Sequence, residues 1–294
     1  MNILRFIRKC FTDRPAAWRS FKLVARSFYG QSYWLINPNK PLFHRLPNGG
    51  VLRLEPRHSF THCFYPGVDQ YEPDVRGALQ YFLKAGNTFI DCGANIGYFS
   101  VLANALVGKS GKVISVEANP VTFSLLETNL KTNGFGIPIH CALTSEKGEL
   151  ELFMPTQGGD VYSSLRKGGL VKGESIQSFK VLGRSLDDLV HDLALTKVDL
   201  VKIDIEGAEM DVLRSATHLL SKFRPVVITE YGTNTWPNFG ATSDDLKNLA
   251  QSYSYQLRIF DINNRNLTLI PQETWQSGYA NVILIPEERL IEFS

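Results

Sequence analysis

Short apolar segments alternate with amphipathic helical segments along most of this chain from residue 88 onward. Short apolar runs bounded by turn residues are typical of strands that are buried on both faces of a sheet. Such runs predict strands at 88–92, 112–117, 137–141, 198–205 and 225–230, followed by two more at 256–260 and 281–285. The segment 149–153 is predicted to form an edge strand. The intervening periodicity predicts helices at 97–107, 120–133 and 244–252, and helices beginning at 185 and 208. Repeated strand–helix units predict an α/β fold with a mainly parallel sheet and helices on both faces.

The residues ahead of this alternation predict a smaller N-terminal extension. Residues 1–40 have a helical pattern, and a β-hairpin follows with strands at 43–46 and 51–54 around an Asn-Gly turn. A helix that begins at Pro73 then leads into the first buried strand, because proline suits the first turn of a helix. We therefore divide the chain into a helical and hairpin extension at 1–70 and a main domain at 71–294.

Composition and charge exclude several classes of protein. The 294 residues carry a net charge of +2 without a basic stripe, so no nucleic-acid partner is predicted. The four cysteines form no CxxC pair, which speaks against a disulfide framework or a zinc site and favours a cytoplasmic location. No apolar run is long enough to span a bilayer. Residues 1–11 mix basic and apolar side chains, so they either pack on the domain, which we favour, or lie on an anionic membrane surface. The sequence predicts no oligomeric state.

The first buried strand ends in a glycine turn that predicts a cofactor site. Asp91 is followed by Gly93, Ala94, Asn95 and Gly97, and a helix begins at once. The GxxxG spacing is a poor fit to the GxGxxG pyrophosphate cradle of NAD enzymes, and a carboxylate at this turn would repel phosphate. The turn suits S-adenosylmethionine, because Asp91 can hold its amino group and the glycines let the backbone approach the ligand.

An acid at the end of the second strand completes the predicted cofactor site. Glu117 lies 20 residues beyond Gly97, a spacing at which an acid binds the ribose hydroxyls in Rossmann-like folds. Asn119 lies just beyond this acid and is included in the predicted site. The small Ala142, at the end of the third strand, leaves room for an adenine ring.

With these motifs in place, the sequence resembles the FkbM-type methyltransferases from about residue 71 to residue 286. The resemblance rests on YEP (71–73), FIDCGANIGYFS (89–100), EANP (117–120), NLKTN (129–133), SLDDL (185–189) and VDLVKIDIEGAE (198–209), with Arg224-Pro225, Glu230 and Ala280-Asn281 beyond them. It implies a Rossmann-like class I methyltransferase sheet, mostly parallel with an antiparallel last strand. It also implies S-adenosylmethionine as cofactor and O-methylation of a sugar, glycan or natural product, and it adds Glu72 to the cofactor site.

A charged strand end supplies the predicted catalytic residues. Lys202, Asp204 and Glu206 leave the fourth strand on one face if the strand extends that far, because side chains alternate along a strand. Glu230, at the end of the fifth strand, joins them as a fourth candidate. Asp204 either takes the proton of an acceptor hydroxyl, or binds Mg²⁺ or Mn²⁺ together with Glu230. The structural alternative is a Lys202–Asp204 ion pair, and Glu209 is assigned to the first turn of the next helix.

The segment at 157–175 is rich in glycine and serine, which predicts a mobile loop over the acceptor. Its Ser163, Ser164 and Arg166 are expected to make polar contacts to a glycan.

Two other functions stay open at this point. One is an NAD-dependent oxidoreductase or epimerase, against which the GxxxG spacing speaks. The other is a non-catalytic scaffold on the same fold, against which the intact set of cofactor residues speaks. A small-molecule or glycan acceptor is expected, and the residues alone do not identify it.

Overall fold

Five parallel strands form one side of a central eight-stranded sheet and include one of its two edges. The computed structural model describes residues 33–34, 36–37, 39–56, 58, 71–156, 163–166 and 175–293. The strands are β1 Leu42–Arg45, β2 Val51–Leu54, β3 Thr88–Cys92, β4 Lys112–Glu117, β5 Ile137–His140, β6 Ala142–Leu143, β7 Gly148–Pro155, β8 Ile176–Arg184, β9 Leu200–Ile203, β10 Val226–Gly232, β11 Tyr255–Asp261, β12 Asn266–Thr268 and β13 Tyr279–Pro286. The central sheet has the order β12–β11–β13–β10–β9–β3–β4–β5.

The direction of the strands confirms the predicted sheet. Strands β3, β4, β5, β9 and β10 run parallel to one another. The last strand, β13, is antiparallel to both of its neighbours, β10 and β11. The short edge strand β12 was not predicted.

Helices cover both faces of this sheet. They are α1 Pro73–Phe82, α2 Tyr98–Val107, α3 Pro120–Asn133, α4 Leu186–Asp192, α5 Glu209–Ser215, α6 Ser243–Ser252 and α7 Gln272–Ser277. Phe89 and Leu200 pack with α1 and α2 on one face, while Ile90 and Val201 pack with α4, α5 and α6 on the other. Since side chains alternate along a strand, Asp91 and Lys202, which are register partners, share the face of α1 and α2.

Capping residues fix the ends of helices that border the site. Asn119 precedes α3, and its Oδ1 accepts from the backbone N–H groups of Val121 and Thr122 at 3.0 and 3.3 Å. Gly134 ends the same helix in the left-handed region, with φ 71°. Ser185 caps α4 as predicted, because its Oγ accepts from the N–H of Asp188 at 3.1 Å.

The predicted hairpin is confirmed as β1 and β2, and it is fastened to α3. Asn133 accepts from the N–H of Val51 at 2.9 Å and donates to its carbonyl at 2.7 Å. Asn129 accepts from the N–H of Arg53 at 2.7 Å. These amides occupy the place of a neighbouring strand at the β2 edge. The boundary near residue 70 stays a prediction, because 59–70 and most of 1–40 lie outside the described residues.

A second, three-stranded sheet has the order β6–β8–β7. The predicted strand at 149–153 corresponds to β7, which is an edge strand, but of this smaller sheet. Its partner β8 was not predicted, because the apolar residues of 176–184 do not alternate regularly. Among the described residues, no helix has the length and apolar character needed to cross a membrane.

Candidate active site

A cavity opens at the carboxyl ends of β3, β4 and β9. This is the edge at which parallel α/β sheets bind ligands. The wall of the cavity includes residues from both predicted groups: Gly93, Ala94, Asn95, Glu117, Ala142, Lys202, Asp204 and Glu206. The structure therefore brings most of the predicted cofactor residues and three of the four predicted catalytic residues to one place.

The glycine turn after β3 packs more closely against β9 than the sequence suggests. Gly93 has φ 77°, and a Cβ at this position would lie 1.8 Å from the carbonyl oxygen of Asp204. Gly97 has φ 90°, and its Cβ would meet the side chain of Leu126 at 2.9 Å. Gly97 does not line the cavity. The two glycines are thus required by the tight turn, which the sequence also indicates, and by protein packing. Close approach of this backbone to a ligand stays a prediction, and of the two glycines Gly93 lines the cavity.

Glu117 is held by backbone donors on both of its oxygens. Oε2 accepts from the N–H of Asn95 at 2.9 Å, and Oε1 accepts from the N–H of Asn119 at 2.8 Å. Burial raises the pKa of Glu117 to about 7, although these N–H groups oppose the shift. A carboxylate has about four acceptor positions, so the geometry leaves room for further donors from the cavity.

Besides Gly97, three predicted cofactor residues do not line the cavity: Glu72, Asp91 and Asn119. The side chain of Asn119 caps α3, and its Nδ2 faces the sulfur of Met154 at 2.9 Å. Asp91 is completely buried, and its Oδ2 accepts from the hydroxyl of Ser100 at 2.6 Å. Its Oδ1 has no hydrogen-bond partner among the described residues. Asn119 therefore reaches the site through its backbone N–H to Glu117, and contact of Asp91 with a cofactor stays a prediction.

Lys202 and Asp204 form the predicted ion pair. Lys202 is 2% exposed, and its Nζ donates to Oδ2 of Asp204 at 2.8 Å. The ammonium also lies 5.1 Å from the centre of the Phe99 ring, a favourable cation–π distance. Burial alone would lower the pKa of Lys202, but the charges of Asp204, Asp91 and Glu72 outweigh it and raise this pKa. The lysine is thus a fixed cation of the site.

Several carboxyl groups surround this single cation. Burial raises the pKa of Glu206 to about 8, with a further contribution from Asp204 and Glu209. Burial likewise raises the pKa of Glu230, on β10, well above its ordinary value. Glu72, which precedes α1, has a pKa raised by burial and lowered in part by Lys202. The surroundings of Lys202 are therefore rich in carboxyl groups whose pKa values are raised.

Glu209 has a structural role in addition to its favourable charge at the start of a helix. It is the first residue of α5, as predicted, and it is completely buried. Its Oε1 accepts from the N–H groups of Ile205 and Gly207 at 2.9 and 3.0 Å, which holds the loop after β9 in place. Burial raises its pKa to about 7.

Sequence reasoning missed the aromatic side of the site. Tyr71, Tyr98 and Phe99 line the cavity and pack on one another. Tyr279, from β13, donates a hydrogen bond to Glu230. The first three lie within the sequence motifs 71–73 and 89–100, and these motifs were the signal from which they could have been predicted. The contact of Tyr279 depends on the antiparallel pairing of β13 with β10, which residue types do not encode.

The short segment 163–166 lies beside the cavity. Ser163 and Leu165 line the cavity. Ser164 pairs with Phe153 through two backbone hydrogen bonds of 2.8 and 2.9 Å. Arg166 lies 5.1 Å from the ring centre of Phe239 and donates to the carbonyl of Asn238 at 3.0 Å. Of the three residues predicted to contact a glycan, Ser163 alone faces the cavity, and the rest of 157–175 falls outside the described residues except Ser175.

The sheet order, its antiparallel last strand and the cavity at the β3 turn define a Rossmann-like class I methyltransferase fold. The methyltransferase FkbM domain matches residues 91–257, which is more than half of the sequence. The chain therefore belongs to the FkbM methyltransferase family.

Individual relatives cover smaller parts of the chain. The hexuronic acid methyltransferase AglP of Haloferax volcanii is 28% identical over 158 residues, which span 53% of this chain and 61% of AglP. The methyltransferase sdnD of Sordaria araneosa is 32% identical over 159 residues, with 45% and 61% covered. A crystal structure of a methyltransferase FkbM from Methylobacillus flagellatus has a TM-score of 0.44 and 15% identity, covering 68% of this chain and 44% of that one. The chain thus spans about 61% of the length of these two curated relatives.

Proposed function

We propose that this chain is an S-adenosylmethionine-dependent methyltransferase that methylates a hydroxyl group of a sugar, glycan or natural product. The observation that carries the proposal is one cavity lined by two kinds of residue. Glu117 lines it together with small and apolar residues, which we call the cofactor end, and the Lys202–Asp204 pair also lines it, which we call the acceptor end. Such a cavity suits a nucleoside next to a proton-accepting group.

The cofactor end fits a nucleoside with a positively charged tail. Glu117 offers free acceptor positions for a ribose diol, and Ala142 leaves space beside it. Lys202 is the one basic side chain among the described residues that line the cavity, and it already binds Asp204. A pyrophosphate would meet carboxylates here instead of free cations, which speaks against the alternative of an NAD-dependent oxidoreductase.

The acceptor end supplies a group that can receive a proton. S-adenosylmethionine carries its methyl group on a positively charged sulfur, so the donor itself is already reactive. The acceptor oxygen must lose its proton as it gains the methyl group, and Asp204 lies in the cavity wall to receive it. Lys202 holds Asp204 in place through Oδ2. Glu206 also lines the cavity and is the alternative base.

One relative supports a sugar acceptor. AglP is described as a hexuronic acid methyltransferase, so the substrate in its name is a sugar acid.

Calorimetry and an acceptor screen test this proposal. The chain should bind S-adenosylhomocysteine and not NADH, and it should transfer labelled methyl to a member of a sugar and glycan panel. Asp204→Asn should lower turnover by about 10²–10⁴-fold, the range for a placed acid–base group, while cofactor affinity stays the same. Asp244→Asn, an exposed carboxylate on α6, is the control.

Two results would contradict the proposal. Binding of NADH without S-adenosylhomocysteine would refute the cofactor assignment. Normal turnover of Asp204→Asn would remove that residue from catalysis and return it to a purely structural pairing with Lys202.

A further inference from the structure

Three carboxylates from different elements converge around Asp204, the one of them that lines the cavity. Asp204 follows β9, Glu209 opens α5 and Glu230 lies in β10. One oxygen of each lies within 4.8 Å of one oxygen of each of the others. Glu209 and Glu230 are buried, and the side chain of Asp204 is 18% exposed. Like charges this close repel each other strongly when burial excludes water, unless a cation or protons compensate them.

The described surroundings supply little of that compensation. Lys202 contacts Asp204 through Oδ2, and it is the basic residue that lines the cavity. Tyr279 donates one hydrogen bond to Glu230. With one ammonium and one phenol as the partners described here, all three carboxyl groups can be ionised together only if a further cation joins them.

Glu209 provides a second sign that this cluster is suited to bind a ligand. Its Oε1 is satisfied by two backbone N–H groups. Its Oε2 is buried and has no hydrogen-bond partner among the described residues. A buried carboxylate oxygen without a donor is costly, and it is the atom type that a hard cation binds.

We infer that Asp204, Glu209 and Glu230 together bind one divalent cation of the Mg²⁺ or Mn²⁺ class. Carboxylate oxygens suit these cations, which complete their coordination with water or substrate oxygens. The role of the cation rests on the proposed function: it would polarise the acceptor hydroxyl next to the methyl donor, so that its proton leaves to a site carboxylate as the oxygen–carbon bond forms and the carbon–sulfur bond breaks. Glu209 is the new ligand in this set.

Manganese titration of the EDTA-stripped full chain tests the inference. The free Mn²⁺ signal in electron paramagnetic resonance gives stoichiometry and affinity, with and without S-adenosylhomocysteine. The wild type should bind one Mn²⁺ per chain. Glu209→Gln and Glu230→Gln should each weaken binding by about 10–100-fold or more, since even outer-shell substitutions cost that much. Glu127→Gln, an exposed site on α3, should bind like the wild type.

A second readout keeps the test independent of folding defects. Mn²⁺ should raise the thermal midpoint of the wild type and of Glu127→Gln, and leave that of Glu230→Gln unchanged. If Glu209→Gln does not fold, the Mn²⁺ affinity of Glu230→Gln alone decides whether the carboxylate cluster binds the metal.

Each remaining outcome is informative. If the wild type binds S-adenosylhomocysteine but no Mn²⁺, the inference is overturned. If that protein also methylates amines, the carboxylates are assigned to the binding of a cationic acceptor. Wild-type Mn²⁺ affinity in both glutamine variants also overturns it. Site-specific Mn²⁺ binding without any S-adenosylhomocysteine binding supports the metal site and refutes the proposed function.

Discussion

Replacing Glu117 with glutamine tests the cofactor end of the cavity. The wild-type carboxylate accepts one backbone N–H on each oxygen, and its remaining lone pairs are assigned to a ribose diol. Glutamine keeps the shape and removes the charge and one acceptor. A hydrogen bond to a charged group contributes about 1.5–3 kcal/mol, so affinity for S-adenosylhomocysteine should fall by about 10–150-fold.

The pH dependence of binding gives a second, sharper readout. Burial raises the pKa of Glu117 to about 7, and the ionised form is the better acceptor for ribose hydroxyls. Wild-type affinity should therefore increase as the pH rises from about 6 to about 8, and the glutamine variant should lose this component.

The raised pKa of Glu117 also makes the free energy of unfolding depend on pH. Glu117 titrates near pH 4.3 in an unfolded chain and near 7 in the folded protein. Between these values the folded state holds the proton and the unfolded state does not, so the free energy of unfolding falls as the pH rises through this window. The loss is on the order of 3 kcal/mol for a buried group with this shift. Glutamine should flatten that part of the stability curve.

Calorimetry across the pH range and urea unfolding measure both effects, with Glu127→Gln as an exposed control on α3. Wild-type affinity and an unchanged pH slope in a folded Glu117→Gln protein would refute the ribose assignment.

Two further substitutions test the turn and the segment beside the cavity. Gly93→Ala should destabilise the fold by about 2–5 kcal/mol, from a positive φ and from a Cβ 1.8 Å from the Asp204 carbonyl oxygen. Gly134→Ala, with a positive φ and open space around its Cβ, should cost only about 1–2 kcal/mol in urea unfolding, and equal losses would contradict the packing argument. Arg166→Ala removes the contacts to Phe239 and Asn238, so it should raise the KM for the acceptor while the urea midpoint changes little. An unchanged KM would mean that this arginine does not position the segment.

Much of the fold was predictable because its signals are local. The buried strand at 88–92 and the helix at 120–133 were predicted with the observed bounds, since an apolar run and a Pro–Gly frame mark their ends. Strand β8 was missed because its apolar residues follow no regular period. Its stability comes from pairing with β7 along eight register positions, which is a tertiary property.

The site was predictable only at the level of residue type. Strand alternation places Lys202 and Asp204 together, and the observed 2.8 Å contact agrees with that expectation. Glu209 was assigned to a helix start, and its backbone contacts agree with a structural role. Its closeness to Glu230 could not be predicted, because it depends on the parallel register of β9 and β10 and on the loop between β9 and α5.

The charges of the acceptor end link the two proposals. An acidic sugar carries its own carboxylate, which the carboxylate of Asp204 in the cavity wall would repel. A divalent cation held by the three-carboxylate cluster reverses that relation, because it offers open coordination positions to an anionic sugar. Without the cation, the same cavity favours a neutral or cationic acceptor. Whether this cluster binds a metal therefore predicts the charge of the acceptor that the cavity favours.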